Sequence, residues 1–131
     1  MIRLLLTLLL LVSCIDDYSL DVTSTQSLNT LRSLPKKIET NTPLTEKDFN
    51  LIFQYTKKYN EIKDNRPSAY DIAKLIVYSH EKNLVLAYME MTIKNPSQDV
   101  MMGYKYLKSH KSILISGLKD RFSKEEQKLL N

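Results

Sequence analysis

Apolar residues follow two different rhythms along this chain. From Leu4 to Val12 they run together with Thr7 as the one interruption, whereas from residue 44 onward they recur every three or four positions, the spacing of one helix face. Four hydroxyl residues, each just ahead of a carboxylate, punctuate the second regime: Thr45 before Asp48, Ser68 before Asp71, Ser97 before Asp99 and Ser123 before Glu126. A hydroxyl there accepts from unpaired N–H groups of a first helical turn, and the carboxylate reaches back. Each box therefore predicts a helix start. Phe49, Ile52, Phe53, Thr56, Tyr59 and Ile62 make the stripe of the first helix, which Asp64-Asn65-Arg66-Pro67 stops. The second carries Ile72, Leu75 and Ile76, loses phase across Ser79–Asn83, where a kink or break is expected, and resumes with Leu84, Val85, Tyr88 and Met89. Asn95-Pro96 ends it. The third shows Val100, Gly103, Leu107, His110, Leu114 and Leu118 on one seam, with Gly103 admitting a close neighbour and Gly117 or Asp120 as interruptions. Ser123 opens a last short helix bearing Leu129 and Leu130. With no strand alternation and no internal repeat, the expected fold is an all-α bundle of three to five helices over residues 44–131.

The amino terminus has another purpose. Nine residues from Leu4 to Val12 rise only about 14 Å as a helix, roughly half of a bilayer core, so the run fits a secretory h-region behind the positive end at Met1 and Arg3. It is followed by Leu11-Val12-Ser13-Cys14, which resembles the lipobox of bacterial lipoproteins. That resemblance implies cleavage between Ser13 and Cys14, a diacylglyceryl group on the Cys14 sulfur and residues 1–13 as a removed signal peptide. Two or three acyl chains, at about 0.8 kcal/mol per buried methylene, anchor a protein durably without a spanning helix. Enteric-type sorting reads the residue after the cysteine, and Ile15 in place of Asp favours the outer membrane.

Residues 15–43 are rich in Ser, Thr, Asn and Asp and hold two prolines, with no sustained apolar period. They are expected to form, with Cys14, a mostly flexible tether with a coil reach of about 30 Å and room for a short helix around Ser27–Leu34; the alternative is a segment packed along the domain.

Composition sharpens this picture in one respect. Of 131 residues 43% are hydrophobic, but ten of the first 13 are apolar, leaving about 39% in the remaining 118. That sustains one small core and excludes a multidomain enzyme, a disulfide scaffold (one Cys) and a polytopic membrane protein.

Catalytic patterns are thin. The chain lacks a Gly-rich phosphate loop, a nucleophile elbow and a Cys/His cluster, and His80-Glu81 begins a zincin motif whose second histidine is replaced by Leu84. No metal or cofactor is expected. His110 falls on the apolar seam and reads as a core histidine with one hydrogen bond. Glu90, among Tyr88, Met89 and Met91, would become a general acid only if burial raised its pKa, and no second carboxylate is spaced for a glycosidase pair.

Charge adds a face. Residues 44–131 carry 15 Lys and Arg against 11 Asp and Glu, and Tyr104, Lys105, Lys108 and Lys111 cluster as a candidate interaction face. An exported protein meets anionic lipid, cell wall or an acidic protein there rather than nucleic acid. The tyrosines could also make an interface, and Met89, Met91, Met101 and Met102 an adaptable groove, although both groups suit core filling. The expected function is a non-enzymatic, membrane-anchored extracytoplasmic lipoprotein whose helical module binds a protein partner. Its rivals are an immunity or inhibitor protein against a toxin, and an envelope-structural lipoprotein contacting cell wall or outer-membrane machinery.

Overall fold

A computed structural model describes residues 21–118 and 121–130. The lipobox-like Leu11-Val12-Ser13-Cys14, with the expected cleavage and lipidation at Ser13 and Cys14, lies outside the described residues. Within them the protein is all-α, as the apolar spacing predicts, with no strand. Its α-helices are α1 (Thr25–Ser33), α2 (Pro35–Glu39), α3 (Glu46–Lys57), α4 (Ala69–Ser79), α5 (Lys82–Lys94), α6 (Gln98–Ser109), α7 (Lys111–Leu118) and α8 (Lys124–Lys128), with a 3-10 turn at Tyr59–Glu61. The number exceeds three to five because two predicted helices are each divided and two short ones precede residue 44.

The capping chemistry works as the sequence suggests at two of four boxes. At α3 the Thr45 hydroxyl accepts from Asp48 N–H at 3.1 Å while Asp48 Oδ2 accepts from Thr45 N–H at 2.9 Å. At α8 Ser123 and Glu126 exchange the same pair of bonds, at 3.1 and 3.0 Å. The other two boxes interlock. Ser68 caps α4 through Tyr70 N–H, yet its reciprocal carboxylate comes from another helix: Asp99, in the first turn of α6, accepts from Ala69 N–H at 2.9 Å and from the Ser68 hydroxyl at 3.1 Å. Asp71 instead faces Lys74 at 3.4 Å.

The expected break after Ser79 is real, and His80 makes it. With φ of 56° this residue is left-handed, so α4 cannot continue and Glu81 starts α5. The third predicted helix divides at His110, giving α6 and α7, and α7 ends at Leu118, beside the Gly117 named as an interruption.

Residues 21–43 are not the flexible stretch expected. Ser24 caps α1 by accepting from Ser27 N–H at 3.1 Å. Leu28, Leu31 and Leu34, three residues apart, are 4%, 1% and 1% exposed, and Val22 is buried with them. Three leucines on one face, with Val22 and the half-buried Ile38, dock a segment whose other residues are mostly polar. α1 packs on α3 and α2 packs on α4. Lys37 reaches Asp48 at 2.5 Å, pinning α2 to the capping box of α3.

The core centres on α4, whose Ala69, Ile72, Ala73, Leu75 and Ile76 are fully buried. Its closest partner is α6, through Val100, Gly103 and Leu107; α3 lies against α5. Gly103 lies so near Tyr88 that an added Cβ would sit 1.9 Å from the hydroxyl oxygen. That hydroxyl donates to the carbonyls of Val100 (2.8 Å) and Ala69 (3.3 Å), joining α5 to the two helices at the centre.

Candidate interaction groove

Helices α3 and α5 each present two apolar faces. On α3 Leu51, Ile52 and Tyr55 enter the core while Phe49 and Phe53, one turn apart, are only half covered. On α5 Leu84, Val85, Tyr88 and Met89 are buried, Leu86 is half covered against the core, and Ile93 is exposed. The two helices run in the same direction: Lys57 pairs with Glu90 and Asn60 with Asn95 at one end, while at the other the Tyr78 hydroxyl, just before the start of α5, donates to the Thr42 carbonyl just ahead of α3. Between the outward faces lies an open groove of about 650 Å³, floored by Phe49, Phe53, Leu86 and Ala87. Ile93 (75% exposed) and Leu129 (43%) stand on its rim. Burying such side chains is favourable by roughly 1.5–3 kcal/mol each, so a partner that covered them would gain from the contact.

Charge closes both ends. At one, Glu90 Oε1 pairs with Lys57 at 2.7 Å and Oε2 with Lys94 at 3.3 Å, leaving one excess positive charge. Lys57 also lies 5.3 Å over the Phe53 ring. At the other end stands Glu81. Glu90 is therefore not the buried acid considered from the sequence. It is exposed, and the Lys57 hydrogen bond, with Lys94 second, lowers its pKa rather than raising it.

The face composed of Tyr104, Lys105, Lys108 and Lys111 is partly assembled. Lys105 and Lys108 are exposed on α6, with Lys108 Nζ 5.5 Å over the Tyr104 ring, while the Tyr104 hydroxyl donates to the Leu129 carbonyl at 3.2 Å. Lys111 begins the next helix, past the His110 break.

Most of the other candidates serve packing. Tyr55, Tyr59 and Tyr88 are at most 1% exposed, and Met89 and Met91 are buried, whereas Met102 is 49% exposed. Burial raises the pKa of Tyr55 and Tyr88, and burial with the Asp99 hydrogen bond pushes Tyr59 up to about 12. Asp99 itself is drawn both ways. Desolvation raises its pKa, but the Ala69 N–H and the Tyr59 and Ser68 hydroxyls together hold it below the usual carboxylate value. His110 is half buried; its Nδ1 lies 2.9 Å from the Tyr106 carbonyl and 3.0 Å from Ser109 Oγ, and its ring is 4.1 Å from that of Tyr106. His80 is exposed beside Gly117. Among the described residues no three His, Cys, Asp or Glu converge as a metal site, and no helix is long and apolar enough to cross a membrane.

Sequence reasoning singled out the lysines of α6 and missed the groove. The available signal was phase: Ile93 is apolar but off the stripe of Val85, Tyr88, Met89 and Thr92. No family model, curated protein or solved structure matches the chain.

Proposed function

We propose that the protein is a membrane-anchored extracytoplasmic bacterial lipoprotein, held by lipid on Cys14, whose helical bundle binds a protein partner and performs no catalysis. The anchoring half is supported by the lipobox-like Leu11-Val12-Ser13-Cys14 behind a short h-region. The binding half rests on one observation, the α3/α5 groove, where Ile93 and the half-covered phenylalanines line an open apolar surface. Apolar surface of this kind, bounded by charge at both ends, has the character of the centre and rim of a protein interface. The outer membrane is the favoured destination because Ile15 follows the cysteine.

The anchor is tested by metabolic labelling with an alkyne fatty acid in the native host. Wild type should take up label and fractionate with membranes; Cys14→Ala should take up none and accumulate as the unprocessed precursor. Equal labelling of the two would end the anchoring proposal.

A further inference from the structure

We propose that the groove receives an amphipathic helix of the partner protein, oriented so that an acidic side chain near one end of that helix meets Lys57 and Lys94. This deepens the partner-binding reading above and rests on it.

Three features select a helix. The first is shape: α3 and α5 run side by side in the same direction, and a trough between two helices is the seat a third helix fills when its ridge enters the shared groove. From Glu81 to Ile93 the trough extends for about 18 Å, the length of three to four helical turns, and Lys94 reaches its end through Glu90. The second is the spacing of its lining. Phe49 and Phe53 are one turn apart on α3, and Leu86 and Ile93 are two turns apart on α5, matching side chains at i, i+3 or i+4, and i+7 of a docked helix. An extended peptide would gain less, because the described fold has no strand edge to receive its backbone N–H and C=O groups, whereas a helix satisfies its own.

The third feature is polarity. Lys57 and Lys94 share the single carboxylate of Glu90, so that end of the groove carries a net positive charge; Glu81 marks the opposite end. A helix with an acidic residue at one end and a basic residue at the other is complementary in only one direction. The charges thereby set the sense of docking, while the apolar floor provides the contact. A single acyl chain matches this site less well, since its methyl end would face a carboxylate.

The test uses the full-length protein in its native membrane. A photoreactive p-benzoylphenylalanine replaces Ile93 in one variant and Lys108 in another, and crosslinked peptides are sequenced by mass spectrometry. The expected product at position 93 is a segment of one other protein, with apolar residues at three- and four-residue spacing and an Asp or Glu in its terminal turn. Adding Lys94→Glu to that variant should cut the yield about tenfold, and Lys94→Arg should preserve it. Circular dichroism of each variant establishes that the bundle is intact. A second copy of this chain, a lipid, or a segment without that pattern at position 93 would overturn the proposal, as would a yield indifferent to Lys94→Glu. Crosslinking from position 108 alone would overturn it while leaving partner binding standing; crosslinking from neither position would end both.

Discussion

Replacing Gly103 with Ala tests the close approach on which the bundle depends. The new methyl carbon would lie 1.9 Å from the hydroxyl oxygen and 2.7 Å from Cζ of Tyr88, and 3.0 Å from the Ala69 carbonyl oxygen. Tyr88 is 0% exposed, so its ring has no free space into which to swing. Relief requires α6 to move away from α4 and α5, or the hydroxyl to leave the carbonyls of Val100 and Ala69. Overpacking of this kind costs roughly 1–3 kcal/mol and each lost hydrogen bond roughly 1, against a gain of about 1 kcal/mol from replacing a mid-helix glycine with alanine. The balance is a loss of about 2.5 kcal/mol, or about 10–20 °C in Tm for a domain near 100 residues. Thermal unfolding followed by circular dichroism measures it. Gly117→Ala is the control, since the added carbon there meets only the exposed His80 ring, 3.2 Å away, and the helix-propensity gain should keep Tm level or raise it. In a Tyr88→Phe background the 1.9 Å contact disappears, so the Gly103→Ala penalty should shrink by about 0.5–3 kcal/mol. A Tm for Gly103→Ala equal to wild type would refute the packing argument.

Two further substitutions address other parts of the structure. Leu31→Ala, at a site 1% exposed on α1, should destabilise the protein by about 2–5 kcal/mol in urea titration; no change would mean that residues 21–43 do not belong to the folded unit. Asp99→Asn should cost about 1–3 kcal/mol at pH 7, because Asp99 accepts from Ala69, Tyr59 and Ser68 as a carboxylate. Since its folded pKa lies below the unfolded value, this stabilisation is present above about pH 4 and is lost as pH falls through the folded pKa. The gap between wild type and variant should therefore close toward about pH 2, and a gap constant over that range would contradict the assigned network.

Helix starts were readable in the sequence where the cap and its carboxylate belong to one turn, as at Thr45 with Asp48 and Ser123 with Glu126. The starts at Ser68 and Ser97 were readable too, since both hydroxyls cap their helices, but the carboxylate's partner was not: nothing local reveals that Asp99 serves α4 instead of its own helix. The break near residue 80 was legible from lost phase, because a helix cannot keep a buried face through Ser79–Asn83. The docking of α1 was obscured by composition, since three leucines among Ser, Thr, Asn and Gln carry little average hydropathy yet fill one face. The groove was hardest to see. It exists only once α3 and α5 are placed side by side, and pair placement is a tertiary fact that neither helix encodes alone.

If Cys14 carries lipid as proposed, the folding of residues 21–43 sets the length of the leash. With lipid on Cys14, only residues 15–20 separate the anchor from Asp21, so even a fully drawn chain lets the bundle rise about 25 Å from its attachment. The chain enters the described structure at Asp21, whose carboxylate accepts from the Thr23 N–H at 3.0 Å and hydroxyl at 2.6 Å. A protein so held searches a thin layer above one leaflet, not the volume beyond it. A partner confined to the same layer would meet the groove at the high effective concentration that a short link creates, and a modest intrinsic affinity would suffice.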